Sequence, residues 1–318
     1  MTAQGVPRTL AMGPGPEFDT IRTMLARWGE LAVGIGDDAA VLHVPRGDAL
    51  VASVDAAIEN RHFRADWLSM REVGYRAVTA ALSDLAAMAA QPLGVLVAIG
   101  LPERNARGVA DLADGIGEAV GAVHTKILGG NIVAADVLSL TTTVLGAAFA
   151  PLGRGGLRPD DLLYVTGQLG GPGSAVIAWN TGHRLHDEHR ARFAHPVARI
   201  REGRWLADRG AVAAIDISDG LAADLEHLAF ASGVGIDVDL ESLPLVDGVN
   251  GPIAAASSGE EYELIVGARE PLDAAEFQRS FAIPLTLVGR ATPSVDGIVF
   301  RRGRERVAKP SGYDHLSR

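Results

Sequence analysis

Four groups of carboxylates in this sequence sit where ordinary surface charge does not belong. Asp37 and Asp38 follow Gly34-Ile35-Gly36 and precede the apolar run Ala39–Leu42. Asp55 closes the strand-like stretch Leu50-Val51-Ala52-Ser53-Val54. Asp84 lies inside Ala80-Ala81-Leu82-Ser83-Asp84-Leu85-Ala86-Ala87-Met88, where burying an ionised carboxylate without a partner costs several kcal/mol. Asp216 and Asp219, in Ile215-Asp216-Ile217-Ser218-Asp219-Gly220-Leu221, fall at a strand-to-helix junction. Singly, each has an everyday explanation: Ser218 or Asp219 capping the helix, an Arg beside Asp84, a turn satisfied by Asp37 or Asp38. Together they put acids at element ends with no adjacent Lys or Arg, and converging acids are stabilised most readily by divalent cations.

Which cation follows from what the chain lacks. It contains no cysteine, so disulfides, zinc-thiolate sites, iron–sulfur clusters and thiol nucleophiles are excluded, and any metal is held by oxygen or imidazole. Oxygen ligands suit Mg²⁺ or Mn²⁺ bound together with a phosphorylated substrate. The only lysines, Lys126 and Lys309, do not follow a glycine, so the phosphate-binding P-loop pattern is absent. A nucleotide site here neutralises triphosphate through several metal ions, backbone amides and an Arg such as Arg154. Gly167-Gln168-Leu169-Gly170-Gly171-Pro172-Gly173-Ser174, between a strand and a helix, offers such amides, although a flexible turn explains the same glycines.

The elements that must position these groups are those of a folded chain. With 318 residues, 47% hydrophobic and 21% charged, disorder is excluded and two domains are expected. A net charge of -10 argues against a phosphate-backbone binder, so neither DNA nor RNA is the expected partner. Pro151, Gly153, Gly155, Gly156 and Pro159 cluster at the midpoint and divide the chain into 1–150 and 151–318. The first half reads as a helix from Pro16 closed by Gly29, then two strand-like runs, Ala39–Val44 and Ala49–Asp55, forming a hairpin about Pro45-Arg46-Gly47-Asp48. A long helix over 67–90 leads to a strand over 93–101, a helix over 106–122 and strands near 125–128 and 137–148. Ala77–Gly100 is apolar enough to resemble a membrane span, but Asp84, Gln91 and Pro92 interrupt it, which predicts a buried helix entering a strand. The N-terminal stretch lacks the order of a secretion signal, which predicts a cytoplasmic location and no membrane partner. The second half reads as strands over 162–166, 212–217, 235–239, 262–266 and 285–288, interspersed with helices over 173–181, 197–208, 221–231 and 273–281.

The motifs in order carry a resemblance. Gly34-Ile35-Gly36-Asp37-Asp38-Ala39-Ala40, Ser53-Val54-Asp55 followed by His62-Phe63, Leu82-Ser83-Asp84-Leu85-Ala86-Ala87-Met88 and Gly129-Gly130-Asn131 occupy the first half. Asp216-Ile217-Ser218-Asp219-Gly220-Leu221, Gly259-Glu260-Glu261-Tyr262-Glu263-Leu264 and Gly312-Tyr313-Asp314-His315 occupy the second. This sequence closely resembles the thiamine-monophosphate kinase family from about Glu17 to His315. The resemblance implies the two-domain fold shared with aminoimidazole ribonucleotide synthetase. In that fold an α+β N-terminal domain pairs with a second subunit's into a barrel-like homodimer core, and an α/β C-terminal domain closes over the nucleotide. It implies that ATP and thiamine monophosphate become ADP and thiamine diphosphate by direct in-line transfer, with several Mg²⁺ ions and no side-chain nucleophile.

Carried over position by position, the resemblance implies metal ligation by Asp38, Ser53, Asp55, Asp84, Asp216 and Asp219, with Val54 contributing its backbone carbonyl. It implies ATP contacts at Gly130, Arg154 and Ser218, and substrate contacts at His62, Glu260 and Tyr313, whose ring suits a face of thiamine. Three positions depart from the family pattern. Asn131 stands where the family has Asp, and a nearby Arg is missing; Asn still offers a carbonyl oxygen to ATP-bound Mg²⁺, without charge. Val54 replaces a frequent hydroxyl residue, and Ser258-Gly259-Glu260-Glu261-Tyr262 replaces Gly-Gly-Glu-Asp-Tyr. Sister enzymes that make selenophosphate or mature hydrogenases depend on a reactive Cys or selenocysteine and are excluded. Two alternatives stay open: another ATP-dependent enzyme of this fold, such as an aminoimidazole ribonucleotide synthetase, and a non-catalytic paralogue that senses nucleotide or thiamine phosphate. Asn131 motivates the second, and five retained acids argue against it.

Overall fold

A computed structural model describes residues 16–33, 35 and 39–312. Two compact units divide the chain, Met1–Leu85 with Gln91–Ala150 and Ala86–Ala90 with Pro151–Arg318.

In the first unit the elements run α1 (Pro16–Trp28), β1 (Ala49–Ile58), α2 (Met70–Ala87), β2 (Gln91–Leu101), α3 (Val109–Ala122), β3 (Ile127–Ala134) and β4 (Ser139–Ala148). The sheet order is β1-β4-β2-β3, with β2 and β3 parallel and the other pairs antiparallel. α2 is a buried, alanine-rich helix, and it ends before Pro92, where the chain turns into β2 through Ala89 at φ 54°. Its backbone touches that of α3: a Cβ on Gly74 would lie 2.3 Å from the Leu112 carbonyl oxygen, and one on Gly115 1.8 Å from that of Arg71. Only glycine lets the two helices approach this closely. The hairpin expected over 39–55 does not form. Residues 39–48 hold no strand, Val41 remains 71% exposed, and β1 instead pairs along its full length with β4, from Ala49 opposite Ala148 to Ile58 opposite Ser139. A ten-residue ladder with the β-branched run Thr141–Val144 outcompetes a short hairpin that would leave Val41 in solvent.

The second unit runs β5 (Leu162–Thr166), α4 (Gly171–Thr181), α5 (Asp187–Ala194), α6 (Ile200–Asp208), β6 (Ala211–Asp216), α7 (Leu221–Ser232), β7 (Gly235–Asp239), α8 (Gly251–Ala256), β8 (Leu264–Ala268), α9 (Ala274–Phe281), β9 (Leu285–Thr292), β10 (Ile298–Arg302) and β11 (Glu305–Val307). Its sheet has the order β11-β10-β7-β9-β5-β8-β6, antiparallel except for the pair β7 and β10. β5 and β8 are interior strands of the sheet and are buried on both faces, as their continuous apolar runs require. One core, including Leu163, Ile215, Leu221, Leu225, Ile236 and Ile265, fixes α7 against the sheet and so fixes the loop that joins β6 to α7. Among the described residues no helix is long and apolar enough to cross a membrane.

Candidate functional site

The first unit hangs its candidate residues on regular elements. Strand alternation puts Ser53 and Asp55 on the face of buried Val51 and turns Val54, 62% exposed, to the other side. The Ser53 hydroxyl donates to Asp84 Oδ2, joining β1 to the last turns of α2. Asp55 Oδ1 accepts from the Ala56 amide at 2.7 Å. His62 lies in the turn after β1, where its Nδ1 accepts from the Ile58 amide at 3.1 Å, an arrangement that assigns the proton of the neutral ring to Nε2. Gly130 and Asn131 belong to β3, beside Val97 and Ala98 of β2. A Cβ on Gly130 would lie 1.9 Å from the Val97 carbonyl oxygen, so the sheet itself demands glycine there. Gly130 and Asn131 also wall a cavity of about 650 Å³ between α1 and the sheet, lined by apolar groups such as Phe18, Trp28, Leu96 and Leu128.

The second unit builds its candidate residues on a loop. Asp216 ends β6 at 5% exposure. Beyond it the backbone is laced to residues 260–263: the Ile217 amide donates to the Glu263 carbonyl at 2.8 Å, the Ile217 carbonyl accepts from the amides of Glu261 and Tyr262, and the Ser218 carbonyl accepts from the Glu260 amide at 2.7 Å. The candidate nucleotide residue Ser218 and the candidate substrate residue Glu260 are therefore one backbone hydrogen bond apart. Neither Ser218 nor Asp219 caps α7; Gly220 occupies that position with no side-chain bond. The bonding runs the other way, from the amides of Ser218 and Asp219, each at 3.1 Å, to the carboxylate of Asp224.

Asp224 is the functional residue that the sequence reading missed. It is 2% exposed, and burial, followed by the charges of Asp216 and Asp219, pushes its carboxyl up to about 8. The signal was available: position 224 falls on the stripe of Leu221, Leu225 and Leu228, and an acid on a core stripe has work to do.

The acids just before β8 are equally organised. Glu260 accepts a hydrogen bond from the Tyr262 hydroxyl. Glu263 pairs with Arg199 and accepts from Thr166 Oγ1 at 2.7 Å. The amide of Gly170 donates to Glu261 Oε1 at 2.6 Å and that of Gly173 to Ser258 Oγ at 2.9 Å. The glycine run before α4 thus spends these amides on buried side chains, which corrects the expectation that it offers them to phosphate. Arg154 has an exposed side chain, while its carbonyl accepts from Ser232 Oγ at 2.8 Å. Asp38 and Tyr313 lie outside the described residues, as does Asp37.

Among the described residues, no three or more His, Asp or Glu side chains form a preassembled metal cage. By type, however, the donors fit a hard divalent cation: a hydroxyl at Ser53, an amide oxygen at Asn131 and carboxylates at Asp55, Asp84, Asp216 and Asp219. The mutual repulsion that helps raise Asp224 is the electrostatics such a cation relieves.

Comparison with known proteins identifies the family. The family model for AIR synthase related protein, N-terminal domain, matches residues 36–148, and that for the C-terminal domain matches residues 158–301. The thiamine-monophosphate kinase of Escherichia coli (strain K12) is 32% identical over 321 residues, covering 94% of this chain and 96% of that protein. The chain belongs to the thiamine-monophosphate kinase family. Another family member, from Rhodopirellula baltica, is 34% identical over 280 residues, covering 82% of this chain and 84% of its own. The crystal structure of thiamine-monophosphate kinase from Stenotrophomonas maltophilia K279a superposes with a TM-score of 0.78 at 29% identity, over 89% of this chain and 94% of that one. AaThiL complexed with AMPPCP and TMP gives 0.75 at 26% identity, over 94% and 96%. Hydrogenase maturation protein HypE, at 18% identity and a TM-score of 0.73, shares the fold. The two-domain AIR synthase-like architecture of the family is the one seen here.

Proposed function

We propose that this chain transfers the γ-phosphoryl group of ATP to the phosphate of thiamine monophosphate, giving ADP and thiamine diphosphate. The observation that carries the reading is kinship with thiamine-monophosphate kinases along nearly the whole chain, and the oxygen donors that the sequence resemblance singles out are of the type such chemistry needs.

In this reading Asp38, Ser53, Asp55, Asp84, Asn131, Asp216 and Asp219 hold several Mg²⁺ ions, with the carbonyl of Val54. Bound Mg²⁺ supplies charge neutralisation, so that two anionic phosphoryl groups approach each other. The chain does the positioning. Asp84 orients the Ser53 hydroxyl, and Asp224 fixes the loop that carries Asp216, Ser218 and Asp219. Gly130, Asn131, Arg154 and Ser218 take ATP, with the apolar cavity beside Gly130 large enough for its base. His62, Glu260 and Tyr313 take thiamine monophosphate, and His62 donates from Nε2. The acceptor phosphate oxygen attacks the γ-phosphorus in line, ADP leaves, and no side chain becomes covalently attached. Catalysis is then orientation plus stabilisation of charge.

In this account residues 1–150 supply Asp38, Ser53, Asp55, Asp84, Gly130 and Asn131 to the ATP and Mg²⁺ functions and also make the contact of a homodimer, while 151–318, the second domain, supplies Arg154, Asp216, Ser218 and Asp219. Support for the dimer comes from β1, an edge strand of its sheet that leaves Leu50 53% and Val54 62% exposed. Purified protein given ATP, Mg²⁺ and thiamine monophosphate is expected to release ADP and thiamine diphosphate in equal amounts. ATP hydrolysis without thiamine diphosphate, or binding of both ligands without turnover across a wide Mg²⁺ range, would refute the kinase reading.

A further inference from the structure

Glu261 is 7% exposed and follows the proposed substrate residue Glu260 in the chain, and its carboxyl is bonded inside the protein. Its Oε1 accepts from the Gly170 amide at 2.6 Å and from the Ser258 hydroxyl, while Ser258 Oγ accepts from the Gly173 amide at 2.9 Å. Amides at the start of a helix have no partner within it, and the cap residue Gly170 has no side chain to offer. Glu261 and Ser258 fill that need from a distant part of the chain.

The same turn is tied on its other side. The Glu261 amide donates to the Ile217 carbonyl at 3.1 Å and the Glu260 amide to the Ser218 carbonyl at 2.7 Å. Held between α4 and the loop after β6, Glu260 and Tyr262 adopt φ of +65° and +54°. Residues with side chains keep such conformations only where the surroundings impose them. Between those two sits Glu261, whose side chain is bonded to the start of α4.

We propose that Glu261 is a positioning residue, clamping the start of α4 to the 258–262 turn and thereby setting the side chain of Glu260 for thiamine monophosphate. The inference rests on the function proposed above. Burial, opposed by Ser258 and Gly170, pushes the Glu261 carboxyl up to about 8; the charged groups facing it are Glu263, which raises it further, and Arg192 of α5, which lowers it. Glutamine, of the same shape and with a carbonyl oxygen that accepts the same two hydrogen bonds, is its stand-in.

The test uses the full chain with Glu261→Ala, Glu261→Gln and Ser258→Ala, read by steady-state kinetics and by amide hydrogen exchange. Glu261→Ala is expected to raise KM for thiamine monophosphate roughly tenfold or more while KM for ATP stays within about twofold. Exchange should quicken at 170–174 and 258–262 together, and Glu261→Gln should restore both readouts. Should Glu261→Ala fail to fold, Ser258→Ala carries the same expectation. Unchanged KM for thiamine monophosphate, an equal rise in both KM values, or a Gln variant as impaired as the Ala variant would overturn the proposal. If the wild type makes no thiamine diphosphate, the kinase reading fails on its own, and exchange then judges the clamp: unaltered protection of 170–174 in Glu261→Ala overturns it.

Discussion

The candidate residues of the first unit ride on regular elements, whereas those of the second ride on a loop. Ser53 and Asp55 are placed by a ten-residue strand register and Asp84 by a largely buried helix, so no single neighbour decides where they stand. Asp216, Ser218 and Asp219 are placed instead by buried acidic side chains: Asp224 gathers two loop amides, Glu261 ties the adjoining turn to α4, and Glu263 holds Arg199. A loop that must present acids to a ligand needs further acids behind it, and those carry the cost of burial. Damage to a neighbour should therefore be mild in the first unit and severe in the second.

The largest effect should come from the loop itself. Asp216→Ala is expected to lower kcat/KM for thiamine diphosphate formation by at least about 100-fold with the far-ultraviolet spectrum unchanged. Near-normal turnover would remove Asp216 from the account.

Behind the loop, Arg199→Met leaves Glu263 and Glu202 buried without their cation. Urea denaturation should show a loss of about 3–5 kcal/mol. A loss no greater than that of a surface arginine would break the contrast between the units.

pH sharpens the same contrast. Glu261 is raised from an ordinary 4.5 to about 8, chiefly by burial, so the folded state keeps a proton that the unfolded chain has released. The stability this group contributes is whole below about pH 4.5 and is lost as pH rises through about 8, and Asp224, also near 8 from burial and its two acidic neighbours, acts with the same sign. Without added Mg²⁺, the wild type should be less stable at about pH 8 than at about pH 5, with a visibly smaller difference in Glu261→Gln. Parallel pH profiles would contradict a protonated Glu261.

The smallest effect belongs to the first unit. Ser53→Ala removes one hydrogen bond to Asp84 and should cost about 1 kcal/mol of stability. A loss as large as that of Arg199→Met would show that β1 depends on its side-chain partners after all.

Sequence was most legible where one period governs several residues. The apolar run Leu162–Thr166 is a strand at those very bounds, and Leu221, Leu225 and Leu228 mark α7. Asp84 and Asp216 stand out because an acid amid alanine or isoleucine has no surface explanation. The partner of β1 was not legible, since β4 lies some ninety residues away and a local turn at Pro45–Asp48 offered a nearer answer. Short elements such as α8, β10 and β11 carry too few periods to register. Asp224 and Glu261 escaped for a physical reason: their worth lies in amides brought to them by the fold, and spacing along the chain does not encode those amides.

The most direct test follows the phosphoryl group itself. Protein incubated with ATP labelled on its γ-phosphate and with thiamine monophosphate is predicted to place the label on the terminal phosphate of thiamine diphosphate, and to stop doing so in Asp216→Ala. Label released only as inorganic phosphate, or retained in ATP by a folded protein that binds thiamine monophosphate, would contradict the account.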